Sequence, residues 1–170
     1  KSNYMIKNVK WFFVVLVFSS FISLSFSEEK VTLTEKQPAV GDVIPSLQFC
    51  NSTQSLNLQK SGNGYTLLSF WASYDAVSRE NNASLAYFAE KTDRINLVSV
   101  SFDRYTSVFR AAVKKDHLPE DKCYVETGEE QSEIYRQFGL SNGFGNYLLD
   151  DKGVIIAQNV TINDLASFLK

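Results

Sequence analysis

Histidine is all but missing from this 170-residue chain: His117 is the only one, beside two cysteines, one methionine and three prolines. A structural or catalytic metal centre draws on clustered His and Cys ligands, and none stand at ligand spacing here. His117 lies among charged residues just past a helical segment and reads as a solvated side chain. Also missing are a glycine-rich phosphate loop, a Ser-His-Asp set, internal repeats and low-complexity tracts, so phosphate cradling and triad chemistry have no residues to rest on. No basic excess exists either, since 17 Lys and Arg face 19 Asp and Glu. A nucleic-acid partner needs a basic face, so none is expected. No metal and no other cofactor is expected.

What is present begins with a leader. Residues 1–10 hold three basic residues and no acid, and Trp11 to Phe26 is apolar apart from scattered serines. That is the pattern of a secretory signal, with Met5 fitting a true start. Ser25 and Ser27 are small residues where a signal peptidase reads, which places cleavage before Glu28 and makes 1–27 a signal peptide. The alternative is an uncleaved anchor, although the apolar run falls short of the roughly 20 residues that span a bilayer. No Cys near the cleavage point offers a lipoprotein anchor. The three leader cations leave with it and all acids stay, so the mature part carries a net charge near −5. It is about 143 residues long, one domain by the usual size, and is expected in the periplasm or cell envelope.

Residues 28–42 are polar, contain Pro38 and read as an extended lead-in; 43–170 form the folded domain. Val43 to Cys50 and Ser55 to Leu58 are short alternating segments that predict a hairpin, and Ser61 to Gly64 a turn. Tyr65 to Ala72 is a continuous apolar run too short for an ordinary helix, hence a buried strand, and Asp75 suits the N-cap of the helix after it. That helix, over Ser78 to Lys91, turns Leu85, Phe88 and Ala89 inward and Arg79, Glu80, Asn82 and Glu90 outward. Ile95 to Phe102 alternates as a strand and ends at Asp103. Thr106 to Asp116 is a helix packing Val108, Phe109, Ala112 and Val113. Cys123 to Val125 is extended, and Glu129 to Phe138 is an amphipathic helix with Ile134 and Phe138 inward. Tyr147 to Ala157 is a hairpin around Lys152-Gly153. Thr161 caps a last helix, Asn163 to Leu169, that covers the sheet with Leu165, Phe168 and Leu169.

The segment Phe70-Trp71-Ala72-Ser73-Tyr74-Asp75-Ala76-Val77-Ser78-Arg79 resembles the active-site segment of envelope thiol-disulfide oxidoreductases of the thioredoxin-like superfamily, TlpA-like AhpC/TSA type. That family reads Trp-Ala-Ser-Trp-Cys-x-Pro-Cys-Arg. Leu149-Asp150-Asp151-Lys152-Gly153-Val154-Ile155 is similar to the family's closing hairpin. The resemblance covers Val43 to the C-terminus and implies an α/β fold, a three-layer α/β/α sandwich around a central mixed sheet. Tyr74 stands at the family's second Trp, Asp75 at its first Cys, Val77 at its Pro and Ser78 at its second Cys. The cis-proline that presents backbone groups to an extended substrate falls on Phe144, where trans geometry and a reshaped loop are expected.

The family chemistry needs a thiolate to attack and a second sulfur to resolve the mixed disulfide. Neither Asp75 nor Ser78 can do this, so the expected site is degenerate, with Asp75 capping the helix instead. Two thiols remain elsewhere. Cys50 and Cys123 could form one bridge closing a loop of about 73 residues, which the chain-entropy model values at roughly 4 kcal/mol; the alternative is two separate buried thiols. Asn51-Ser52-Thr53, Asn82-Ala83-Ser84 and Asn159-Val160-Thr161 match the glycosylation triplet and are read as surface turns and caps. Among the aromatics near the degenerate site, Trp71 and Tyr147 are assigned to the core, Tyr74 and Phe144 to partner contact.

Two functions are compatible with these residues. One is a non-catalytic binding or structural module that contacts a protein or peptide of the cell envelope, with the membrane involved only through an uncleaved leader. The other is a thiol-disulfide oxidoreductase or peroxidase using Cys50 and Cys123 as a relocated pair.

Overall fold

The computed structural model describes residues 36–50, 55–59 and 64–170. The expected leader, the start of the lead-in, the Asn51 triplet and most of the Ser61 turn lie outside them.

Strand β3 (Tyr65–Trp71) is the middle of a five-stranded sheet. It pairs in parallel with β4 (Ile95–Ser101), which pairs in parallel with β5 (Cys123–Val125). On its other side it runs antiparallel to β6 (Asn146–Leu149), and β6 antiparallel to β7 (Ile155–Gln158). The mixed sheet has the order β5-β4-β3-β6-β7. A separate two-stranded hairpin joins β1 (Leu47–Gln48) to β2 (Ser55–Leu56) through Leu47 opposite Leu56.

Alternation along β3 divides the core, because successive side chains of a strand point to opposite faces. Leu67 and Trp71 enter the layer under α1 (Ala76–Ala89), α2 (Thr106–Lys115) and α4 (Ile162–Phe168), against Leu85, Phe109 and Leu165. Leu68 and Phe70 enter the opposite layer with Leu47 of the hairpin and Ile134 of α3 (Glu133–Gln137). Trp71 has no exposed surface and Phe70 almost none. Each such side chain contributes roughly 1.5–3 kcal/mol by leaving water. The three-layer arrangement with a central mixed sheet is therefore present.

Local departures have local causes. Helix α1 begins at Ala76 rather than Ser78, because Asp75 is its N-cap and Ser78 the third residue inside it. The helix expected over Glu129 to Phe138 is split: Glu129 sits at φ +48, and 129–131 make only a 3₁₀ turn. Ser132 is extended, with its hydroxyl accepting the Tyr135 N–H at 3.0 Å to start α3. Val108 lies outward on α2 instead of packing, while Phe109, Ala112 and Val113 face the sheet. Asn82, placed on the solvated side from its polarity, has no exposed surface. Its Oδ1 accepts from the Ser99 hydroxyl at 2.9 Å, and Ser99 Oγ accepts the Trp71 indole N–H at 2.8 Å. This chain pins α1 to β3 and β4, so the Asn82 triplet is not a surface turn.

The closing hairpin turns at Gly153, φ +77. A Cβ there would stand 2.7 Å from Gln59 Cα, so only glycine lets the residues after β2 lie against this turn. At α4, Thr161 Oγ1 accepts the Asp164 N–H while the Asp164 carboxylate accepts the Thr161 N–H, a reciprocal cap.

Candidate functional site

The C-terminal end of β3 delivers Ser73, Tyr74 and Asp75 to the junction with α1. Asp75 is extended, and its Oδ1 accepts the Ser78 N–H at 2.7 Å. Such a cap satisfies one of the otherwise unpaired N–H groups of the first turn. Ser78 is buried; its hydroxyl donates to Asp75 O at 3.3 Å and lies 3.4 Å from the Ala72 N–H, which it accepts. Both side chains are thus engaged with the backbone of their own turn.

A residue with no motif signal holds this turn in place. Asp103, at the end of β4, is 2 % exposed. Its Oδ1 accepts the Ser73 N–H at 3.0 Å and the Ser73 hydroxyl at 2.6 Å, and its Oδ2 accepts from Ser101 Oγ at 2.7 Å. Three donors offset the loss of hydration of this carboxylate. Position alone marked Asp103 as a strand terminator; that it clamps the β3–α1 turn depends on the β3–β4 register, in which Trp71 stands opposite Ser101. Further along α1, Arg79 donates to both carboxylate oxygens of Asp116 at 2.6 and 2.7 Å, tying α1 to the end of α2. This also draws Arg79 from the solvated side assigned to it.

Tyr74 is 68 % exposed, whereas Phe144 is half-buried. Their rings meet edge to face with centroids 6.4 Å apart. Phe144 in turn stacks on Phe102 at 5.7 Å and meets Tyr135 at 6.5 Å. Trp71 and Tyr147 are core residues. The Tyr74 hydroxyl is pushed up from its usual pKa, first by partial burial and then by Tyr135 and the acids Glu129, Asp103 and Glu130. No described peptide bond is cis, so Phe144 follows Gly143 in trans. Gly145 O accepts the Phe70 N–H at 2.9 Å, which extends the β3–β6 ladder up to the Phe144 loop.

The two cysteines are free thiols: the candidate bridge is not formed, and of the two separate thiols read as the alternative, Cys50 is exposed rather than buried. Cys123 packs with the helix-covered side of the sheet, while Tyr124 beside it points to the other face and stacks on Phe49. Cys50 follows Phe49 past that opposite face; its N–H donates to Glu126 Oε2 at 2.9 Å. The pleat therefore sends the two sulfurs to different sides. Burial pushes Cys123 up to about 11. Cys50 is exposed, yet desolvation and then the Glu126 carboxylate raise it too. His117 is exposed at φ +53, and no His, Cys, Asp and Glu group able to hold a metal occurs among the described residues.

A cleft of about 510 Å³ opens beside Ser78 and Phe144, between α1 and the start of α4. A second, of about 360 Å³, lies past Tyr74 and is lined by Arg104, Glu129 and Glu130.

No family model and no curated protein matches the sequence. Solved structures do. A thioredoxin-like protein from Parabacteroides distasonis is 39% identical, with 78% of this chain and 96% of that one covered and a TM-score of 0.68. A thiol-disulfide oxidoreductase from Bacteroides fragilis is 25% identical over 77% of this chain and 97% of its own, with a TM-score of 0.60. The thioredoxin domain of a thiol-disulfide oxidoreductase from Bacteroides vulgatus, 19% identical over 77% and 95%, superposes at 0.62 and shares the fold.

Proposed function

The chain belongs to the thioredoxin-like family, and from that premise we propose that it is a binding or structural module of the cell envelope that no longer exchanges disulfides. The observation that carries this reading is the Asp75 to Ser78 cap, because the two positions that would carry sulfur are a carboxylate and a hydroxyl bonded within their own turn. Neither can become a nucleophilic sulfur or resolve a mixed disulfide. The envelope location rests on the apolar leader at 11–26.

What is left at the family's substrate edge suits binding. The Phe144 N–H and C=O make no hydrogen bond to a described residue, and the loop continues the line of β6. An extended peptide of an envelope protein can add there as a strand, with its side chains against Tyr74 and Phe144. The relocated-pair alternative gains no support from the thiols, since both are shifted toward the protonated, unreactive form.

The test has two arms. Insulin reduction by the unaltered protein should stay at the uncatalysed rate, and robust reduction would overturn the non-catalytic reading. A photo-crosslinker at Tyr74 in intact envelopes should trap a discrete protein partner, with the adduct lost in Phe144→Ala; absence of any adduct would count against the binding role.

A further inference from the structure

The two clefts that flank the Tyr74–Phe144 pair differ in charge. The one past Tyr74 has Arg104, Glu129 and Glu130 in its wall. The one beside Phe144 has no ionisable side chain in its lining at all, among the described residues. In a chain that is 21% charged, a cleft of about 510 Å³ without a single charge is a distinct chemical environment. Its volume lies within the usual range of ligand sites, roughly 300–1,000 Å³.

We propose that this cleft selects an uncharged segment of the partner polypeptide, rich in Ser, Thr, Asn, Gln or Gly and free of Lys, Arg, Asp and Glu where it is seated. The inference rests on the peptide-binding reading above and adds the kind of sequence that the site takes.

The walls supply the matching groups. Asn81 and Ser84 come from the outer face of α1, Asn163 from the first turn of α4 and Asn159 from the loop before it. None of these four side chains has a hydrogen bond to a described residue, so their amides and hydroxyl are available as both donors and acceptors. The floor is fixed. Asn146 Oδ1 accepts the Val160 N–H at 2.8 Å, its Nδ2 donates to Val160 O at 3.1 Å, and Asn146 O accepts the Asn159 N–H at 2.8 Å. Asn159 adopts φ +50, a conformation asparagine tolerates better than most residues. Its side chain then lies over Gly145, where a Cβ would meet Asn159 Oδ1 at 2.4 Å. The aromatic wall is Phe144, whose unpaired backbone groups continue the line of β6 past the cleft.

These features set a preference by what they withhold. A neutral polar side chain entering the cleft exchanges its water hydrogen bonds for those of the asparagines at little net cost. An ammonium or carboxylate loses hydration and meets no opposite charge, which is unfavourable in proportion to its burial. Discrimination through a missing partner is enough for specificity.

The experiment is an NMR titration of the ¹⁵N-labelled protein with three acetylated, amidated decapeptides. One contains only Ser, Thr, Asn and Gly; the others carry two Lys or two Glu at central positions. The neutral peptide should shift the side-chain NH₂ signals of Asn81, Asn159 and Asn163, and should bind on the order of tenfold more tightly than either charged one. Equal affinity for all three overturns the neutral-cleft inference and leaves the peptide-binding reading standing. No shift with any peptide, at Phe144 and Tyr74 included, overturns both. Shifts of the cleft amides by maltohexaose but by no peptide also overturn it, in favour of a glycan site. The double variant Asn81→Asp with Asn163→Asp places acids at two exposed positions, one of them in a helix first turn where a negative charge is favourable. It should melt like the parent and rank the Lys peptide first; an unchanged ranking counts against the proposal.

Discussion

The Asp75 carboxylate accepts the Ser78 amide N–H at 2.7 Å, and on the proposed reading these two residues stand where an oxidoreductase of this family would carry its sulfurs. On that reading, a pair that in an active relative would make and break a disulfide serves here as a helix cap. The electrostatic reason for an anion at this point survives, since the first turn of α1 presents unpaired N–H groups and the positive helix end.

Removing the cap should therefore be felt as stability. Asp75→Ala is expected to lose about 0.5–2 kcal/mol, and Asp75→Asn much less, because Asn caps nearly as well. Urea denaturation of the two variants checks this; an Asp75→Ala protein as stable as the parent would show that the cap is incidental.

Restoring sulfur should restore chemistry. Asp75→Cys with Ser78→Cys places two thiols at the start of α1, where the helix end lowers the pKa of the first. The double variant should form an internal disulfide on oxidation and reduce insulin above the rate of the unaltered protein. Its rate should stay below that of a proline-bearing relative, because on the proposed reading Phe144 stands where that relative carries the proline. Thiol titration before and after oxidation reads the first outcome, and a turbidity assay the second.

Cys123 should impose a pH dependence. Its thiol is raised from 9.0 to about 11 by burial. Between those values the unfolded chain has released the proton and the folded one retains it, so the unfolded state binds fewer protons and stability falls as pH rises. Below the lower value both states are protonated and the effect is absent. The denaturation midpoint of the parent should drop more steeply from pH 9 to 11 than that of Cys123→Ala, and parallel profiles would contradict this. At pH 8, iodoacetamide should label exposed Cys50 before Cys123.

The Trp71, Ser99 and Asn82 chain predicts a large effect from a small change. Ser99→Ala removes one oxygen but leaves the buried indole N–H of Trp71 and the amide of Asn82 without that partner. An unsatisfied buried polar group costs about 1–3 kcal/mol. Thermal melting should place Ser99→Ala well below Ser107→Ala, whose residue lies on an exposed part of α2.

Local patterning alone determined most of the element order: the apolar run into Trp71, the alternation from Ile95, the Lys152-Gly153 hairpin and the caps at Asp75 and Thr161 are decided by residues a few positions apart. The exposure of Tyr74 and the burial of Trp71 were legible for the same reason, since one lies in a turn and the other in a continuous strand. Tertiary structure decided what depends on partners far along the chain. Polarity placed Asn82 outside, whereas the Ser99 hydroxyl 17 residues away brings it in. Asp103 became the clamp of the Ser73 turn only once β3 and β4 lay in register. Two cysteines in one domain allowed a bridge on paper, and the pleat of β5 carried Cys123 to the face away from Cys50. The uncharged cleft likewise gathers α1, the Phe144 loop and the start of α4, segments whose neutrality has no meaning until the sheet brings them together.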